Sequence, residues 1–220
     1  MRAPRALLAA FALTVVVDLG CLAVGFHSGH VVAKVLLMPL LAACAARAGG
    51  PRLLVAALLC GWGGDVLLLS DAEPAFMAGM ACFAVGHVCY LVLFRRHGPS
   101  HARARVLAAY AVALVTLVAL LWPDLPAVLR APVAGYSTLL AAMAYTAATR
   151  LGPVAGLGGA LFMLSDTLIA TRVADWPQLP RPDFWIMLTY AAAQFLLARG
   201  TLDARSAPAT AHRQVRSATP

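Results

Sequence analysis

Asp65 and Asp166 stand inside apolar runs, LLVAALLCGWGGDVLLLS and GPVAGLGGALFMLSDTLIA, each long enough to cross a lipid bilayer. A carboxylate at the middle of a spanning helix costs about 2.5–3.5 kcal/mol on insertion scales, so it faces a partner, a wet cavity or a reaction. The two contexts echo one another, Gly64-Asp65-Val66-Leu67-Leu68 against Ser165-Asp166-Thr167-Leu168-Ile169. Paired carboxyl groups in a low-dielectric site suit general acid–base work, in which one group holds a proton to give and the other is ionised to take one. Other polar side chains also interrupt the apolar runs: Asp18, Lys34, His87, Tyr90, Tyr136, Ser165, Tyr190 and Gln194. Metal chemistry has little support, because only one histidine lies well inside the runs and neither HxxxH nor HExxH spacing occurs within them.

The elements that must position these groups follow from composition. Of the 220 residues, 62% are hydrophobic and only 12% charged, against about 45–50% and about 25% in soluble domains. The chain therefore reads as an all-α, polytopic transmembrane bundle in one domain over residues 1–202. A polar tail, rich in Ala, Ser, Thr and Arg, follows over 203–220 and is expected to be disordered. Apolar windows fall near 6–26, 31–47, 53–70, 75–94, 105–122, 128–149, 153–172 and 184–202, which predicts eight spans. Breakers such as Gly49-Gly50-Pro51, Gly152-Pro153 and the stretch from Pro177 to Pro182 separate them. The first apolar run mimics a signal peptide, but it is long for one and more spans follow, so it is expected to be retained. The five cysteines lie within apolar runs without CxxC spacing and read as small packing residues.

The net charge of +8 is not gathered into a stripe, which argues against a nucleic-acid partner. With eight spans, thirteen arginines fall on the side of the termini and only Arg130, Arg172 and Arg181 on the other. The positive-inside rule then predicts that both termini are cytoplasmic. Asp71, Glu73, Asp124, Asp175 and Asp183 collect on the opposite side, with Trp122, Trp176 and Trp185 as an aromatic belt. This topology puts Asp65, Asp166, Lys34, Tyr136 and Tyr190 at similar depth in the non-cytoplasmic half, with His87 nearer the midplane. Convergence at one depth predicts one polar cavity. Phe76, Gly79, Phe83, His87 and Tyr90 share a helical face, as do Gly159, Phe162 and Asp166. Asp18 is expected to be structural or to pair with Lys34.

Five blocks carry a resemblance: GWGGDVLLL, FMAGMACFAVGHVCYLVLF, APVAGYSTLLAAM, GGALFMLSDTLIA and TYAAAQFLL. In this order and spacing, from about Lys34 to Leu197, the chain resembles the YhhN-like lysoplasmalogenase family of multi-pass membrane proteins. The resemblance implies an eight-helix enzyme of the cell membrane, needing no cofactor, that hydrolyses the vinyl ether bond of a lysophospholipid of the lysoplasmalogen class. It implies a site built from Lys34, Asp65, His87, Tyr90, Ser165, Asp166 and Tyr190, to which the intramembrane polar set adds Tyr136. Asp65 and Asp166 are expected to be the catalytic pair, with their acid and base roles undivided at this stage. The others bind or orient the substrate, Lys34 by meeting the headgroup phosphate. A proton-coupled transporter, a lipid-binding membrane protein and a hydrolase of another lipid remain as alternatives, since intramembrane Asp and Lys residues are equally typical of carriers.

Overall fold

Long apolar segments place no water beside their backbone when they lie in a bilayer, so their peptide groups must bond within the segment, and helices result. The computed structural model, which describes residues 2–97 and 104–206, contains eight of them: α1 (Arg2–Val24), α2 (His27–Arg47), α3 (Arg52–Leu67), α4 (Glu73–Arg95), α5 (Ala104–Leu121), α6 (Ala127–Arg150), α7 (Pro153–Val173) and α8 (Pro182–Ser206). No strand occurs among the described residues. The all-helical expectation is borne out, and each expected span corresponds to one helix. The helix ends follow the punctuation in the sequence. At the end of α2, Gly49 takes a φ of 76°. The amides of Gly49 and Gly50 then bond back to Ala46 and Ala45 at 3.0 and 2.8 Å, which closes the turn as a Schellman motif. α8 runs through Ser206, past the expected boundary at 202, and residues 207–220 of the expected tail lie outside the described residues.

Six of the eight helices are long and apolar enough to cross a membrane. The exceptions, α3 and α8, are the helices that carry Asp65, Tyr190 and Gln194. With 16 residues, α3 is about 24 Å long, shorter than the expected 53–70 window because the chain turns after Leu67. α8 carries Thr189, Tyr190, Gln194 and Thr201, all buried, and packs on α7, α1, α2 and α3. A helix shielded by protein rather than lipid has no need of an apolar surface all round.

Neighbouring helices pack in sequence, α1 on α2, α2 on α3 and α3 on α4, then α6 on α7 and α7 on α8, while α4 also meets α6. The main core runs through these helices, with Leu37, Leu58, Phe94, Met143, Phe162 and Leu197 among its members. Leu121, Leu125, Leu129, Val133 and Ala174 form a smaller one, which fastens the end of α5 to α6 and α7. Elsewhere α5 stands apart: Leu121 is its only buried residue. Val16, Val112 and Val115 are about two-thirds exposed, as lipid-facing side chains are. The arginine-rich ends collect at one end of the bundle, where Arg205 donates to Gly49 O at 2.8 Å and Arg150 to Arg95 O at 3.3 Å. At the other end Arg181 donates to Leu22 O, Arg172 pairs with Asp183, and Trp176 Nε1 donates to Asp124 at 2.7 Å.

Candidate active site

Asp65 lies in the last turn of α3, where Gly61 and Gly64 replace side chains with space. A Cβ on Gly64 would come within 2.5 Å of the Phe83 ring, and one on Gly61 within 2.9 Å of Gln194 Nε2 and 3.0 Å of Tyr190 Oη. The missing side chains let α4 and α8 close on α3 and bring three polar groups to the carboxyl. Tyr190 donates to Asp65 Oδ2 at 2.7 Å. Gln194 Nε2 donates to Tyr190 Oη at 3.3 Å, and Tyr90 donates to Gln194 Oε1 at 2.7 Å. Every donor in this chain, Tyr90 to Gln194 to Tyr190, points toward Asp65. Asp65, Tyr90, Tyr190 and Gln194 are each at most 3% exposed, and aligned bonds in so dry a setting strengthen one another.

Asp166, on α7, terminates a second chain. Tyr136 of α6 donates to Asp166 Oδ2 through a short hydrogen bond, and His87 of α4 lies 3.1 Å from the same phenol oxygen through Nε2. Since Tyr136 spends its proton on Asp166, it accepts from His87, which puts the imidazole proton on Nε2. His87 Nδ1 is buried and has no hydrogen-bond partner among the described residues. Between the two chains stand Phe83 and Phe162, packed edge to face with ring centroids 6.3 Å apart. Phe162 meets Tyr190 at 5.5 Å and His87 at 4.8 Å. Each tyrosine engages one carboxyl oxygen and leaves Oδ1 of the same group for other work.

The two carboxyls differ in what they face. Asp166 is half-buried and forms, with Tyr136, part of the wall of a cleft between α4, α5, α6 and α7. The rest of that wall is almost wholly apolar, including Met80, Phe83, Leu114 and Met163. Asp65 does not line this cleft. Its one side-chain hydrogen-bond donor among the described residues is Tyr190. Lys34 is half-buried. Asp18 does not pair with Lys34, as one sequence expectation had it: its Oδ1 lies 2.8 Å from Nδ1 of His30 across the α1–α2 hairpin. His30 precedes the apolar window expected for the second span, and sequence reasoning passed it over because the structure starts α2 at His27. Gln194 stands in the polar set read from the sequence, and its link between Tyr90 and Tyr190 emerges only from the packing. Ser165, next to Asp166 in the chain, donates its hydroxyl not to a carboxyl but to Ile186 O of α8 at 3.1 Å. Among the described residues no three His, Cys, Asp or Glu side chains come together as metal ligands.

The model of the YhhN family matches residues 29–201. The chain belongs to the YhhN family. Every candidate residue from Lys34 to Tyr190 falls inside the matched stretch, and Asp18 falls outside it. Among the curated proteins of similar sequence, human lysoplasmalogenase TMEM86B is 36% identical over 160 residues, covering 73% of this chain and 66% of its own length. The TMEM86B lysoplasmalogenase of Sus scrofa is 35% identical over 161 residues, covering 73% of this chain and 68% of its own. A lysoplasmalogenase of Mycobacterium tuberculosis is 34% identical over 170 residues, covering 71% and 63%. The chain thus spans about two-thirds of the length of these YhhN-like relatives. No solved structure matches it.

Proposed function

We propose that the protein is a membrane lysoplasmalogenase, which hydrolyses the vinyl ether of a lysophospholipid to a fatty aldehyde and a glycerophosphocholine or glycerophosphoethanolamine. The observation that carries this reading is a half-buried carboxyl, Asp166, set with Tyr136 in the wall of an otherwise apolar cleft, while His87, Phe162 and Tyr190 in ring contact link its hydrogen-bonded chain to that of a second, buried carboxyl, Asp65. The names borne by the relatives support it. In this reading Asp166 is the acid, because it meets the space that an alkenyl chain would occupy. Asp65, which stands outside the wall of the cleft, is the carboxylate that handles water, exchanging protons with the reacting atoms through a bridging water rather than by direct contact.

The proton count then closes through the substrate. Asp166 gives its proton from Oδ1 to the alkene carbon remote from the ether oxygen, and the carbon bonded to that oxygen becomes the oxocarbenium centre. Phe83, which lines the cleft, offers a ring face to that cation. Water adds to the oxocarbenium carbon while Asp65 takes its proton, leaving a hemiacetal. Asp65 returns that proton to the glycerol oxygen as the carbon–oxygen bond breaks, and Asp166 takes the hemiacetal hydroxyl proton. Both carboxyls end as they began. Tyr136 and Tyr190 hold the two groups by their Oδ2 atoms throughout, and His87, Gln194 and Tyr90 hold the tyrosines. The excess of arginine at one end of the bundle supports a topology with both termini in the cytoplasm and the pair in the outer half of the cell membrane.

The test is aldehyde release from a defined lysoplasmenyl lipid by detergent-purified protein. Asp65→Asn and Asp166→Asn are each expected to lower turnover by about 10²–10⁴-fold, the usual worth of a general acid or base, while remaining folded and monodisperse. Wild-type protein that releases no aldehyde, or either variant at wild-type speed, overturns the proposal. Uptake driven by a pH gradient without aldehyde would mark a carrier instead.

A further inference from the structure

The cleft at Asp166 has a neighbour. Its wall includes Leu114 of α5, and Leu114 also lines a second groove between α4, α5 and α6 that reaches Arg95 and Arg150 at the arginine-rich end. The second groove looks polar in sequence, since Thr138, Thr146 and Thr149 all border it. Its chemistry is otherwise. Each of these hydroxyls donates to the carbonyl four residues earlier in its own helix, at 2.8, 2.6 and 2.9 Å. With its hydroxyl turned to the backbone, a threonine presents a methyl group to the groove. Leu91, Leu107 and Ala111 add apolar surface to the lining, with Tyr110 and Tyr145 beside them. The seam along α5 is loosely covered, since Leu121 at the end of α5 is its only buried residue.

Geometry fixes which part of a lipid goes which way. From Asp166 to the end of α7 at Val173 is seven residues, about 10 Å of helix; from Tyr136 to Arg150 along α6 is fourteen, about 21 Å. In a lysoplasmenyl lipid the phosphate sits only a few bonds from the vinyl ether, so the headgroup takes the short way to water and the chain takes the long way. Resting on the hydrolase reading above, we infer that the alkenyl chain of the substrate lies in the seam between α4, α5 and α6, and that Leu114 and Ala111 set the chain length that fits. Leu114 is the step between the two spaces, and Ala111 lies one helical turn further from Asp166.

The inference makes blocks at these two positions act as a ruler. With purified full-length protein and lysoplasmenyl lipids of graded chain length, Leu114→Trp is expected to lower turnover of long chains by about tenfold or more, a size typical of steric discrimination in an apolar pocket. Chains short enough to end above Leu114 keep wild-type rates. Ala111→Phe, on an exposed edge of α5, moves the cutoff to longer chains than Leu114→Trp does. An unchanged chain-length profile in folded variants, or an equal loss at every length, overturns the inference. Wild-type protein that cleaves no chain length overturns the hydrolase reading itself, which separates the two failures.

Discussion

Replacing Tyr136 by phenylalanine removes one oxygen and tests how Asp166 is held. That oxygen donates to Asp166 Oδ2 and accepts from His87 Nε2, and the other imidazole nitrogen of His87 is already without a partner among the described residues. The first loss falls on catalysis. A hydrogen bond to a charged group is worth about 1.5–3 kcal/mol. At about 1.36 kcal/mol per decade of rate, its removal from the reacting carboxyl predicts a fall in kcat of roughly ten- to a hundredfold. The second loss falls on stability. His87 is left buried with neither nitrogen bonded, at a cost of about 1–3 kcal/mol. Removing both partners differs from removing one, because two apolar groups leave no polar atom stranded. Adding His87→Leu to Tyr136→Phe should therefore recover most of the lost stability while turnover stays low. Initial rates of aldehyde release and thermal unfolding in one detergent read the two losses separately. Tyr136→Phe turnover within about twofold of wild type, or a double variant less stable than Tyr136→Phe alone, would refute the reasoning.

Two further substitutions separate groups that act on the reaction from groups that hold helices. Gly61→Ala drives a methyl into Gln194 Nε2 and Tyr190 Oη, the ends of flexible side chains. It should cost about tenfold in turnover, the worth of a weakened bond to Asp65, with little change in melting temperature; a large drop in melting temperature with intact turnover contradicts this. Ser165→Ala removes a hydroxyl whose acceptor, Ile186 O, also receives Thr189 Oγ1 at 3.1 Å. It should cost only about 0.5–1.5 kcal/mol of stability and leave turnover unchanged, and a folded variant without activity would return Ser165 to the reaction.

The helices were legible because their signals are local. An apolar stretch of bilayer length, ended by Gly49-Gly50-Pro51 or Gly152-Pro153, needs no knowledge of its neighbours to form. The same locality explains why two of the eight helices fall short of the bilayer criterion: α3 has only 16 residues, and contact with other helices shields α8 enough to carry Tyr190 and Gln194. The candidate set was legible for a related reason. Asp65, His87, Tyr136, Asp166 and Tyr190 are costly in a bilayer wherever they point, so their presence alone marks them.

What the residues determined by themselves is therefore an inventory: all-helical segments, an arginine-rich end, two carboxyls and a set of polar groups within the apolar runs. Tertiary packing decided the pairings. It gave Tyr190 to Asp65 across 125 residues of sequence and Tyr136 to Asp166 across 30. It joined Asp18 to His30 rather than Lys34, turned Ser165 to a backbone carbonyl, and opened the cleft on Asp166 and not on Asp65. A helical period fixes which residues share a face, but not how that face is rotated or which helix it meets. Those depend on glycines such as Gly61 and Gly64, where what matters is the shape of the neighbouring helix, and that shape exists only once the bundle has closed.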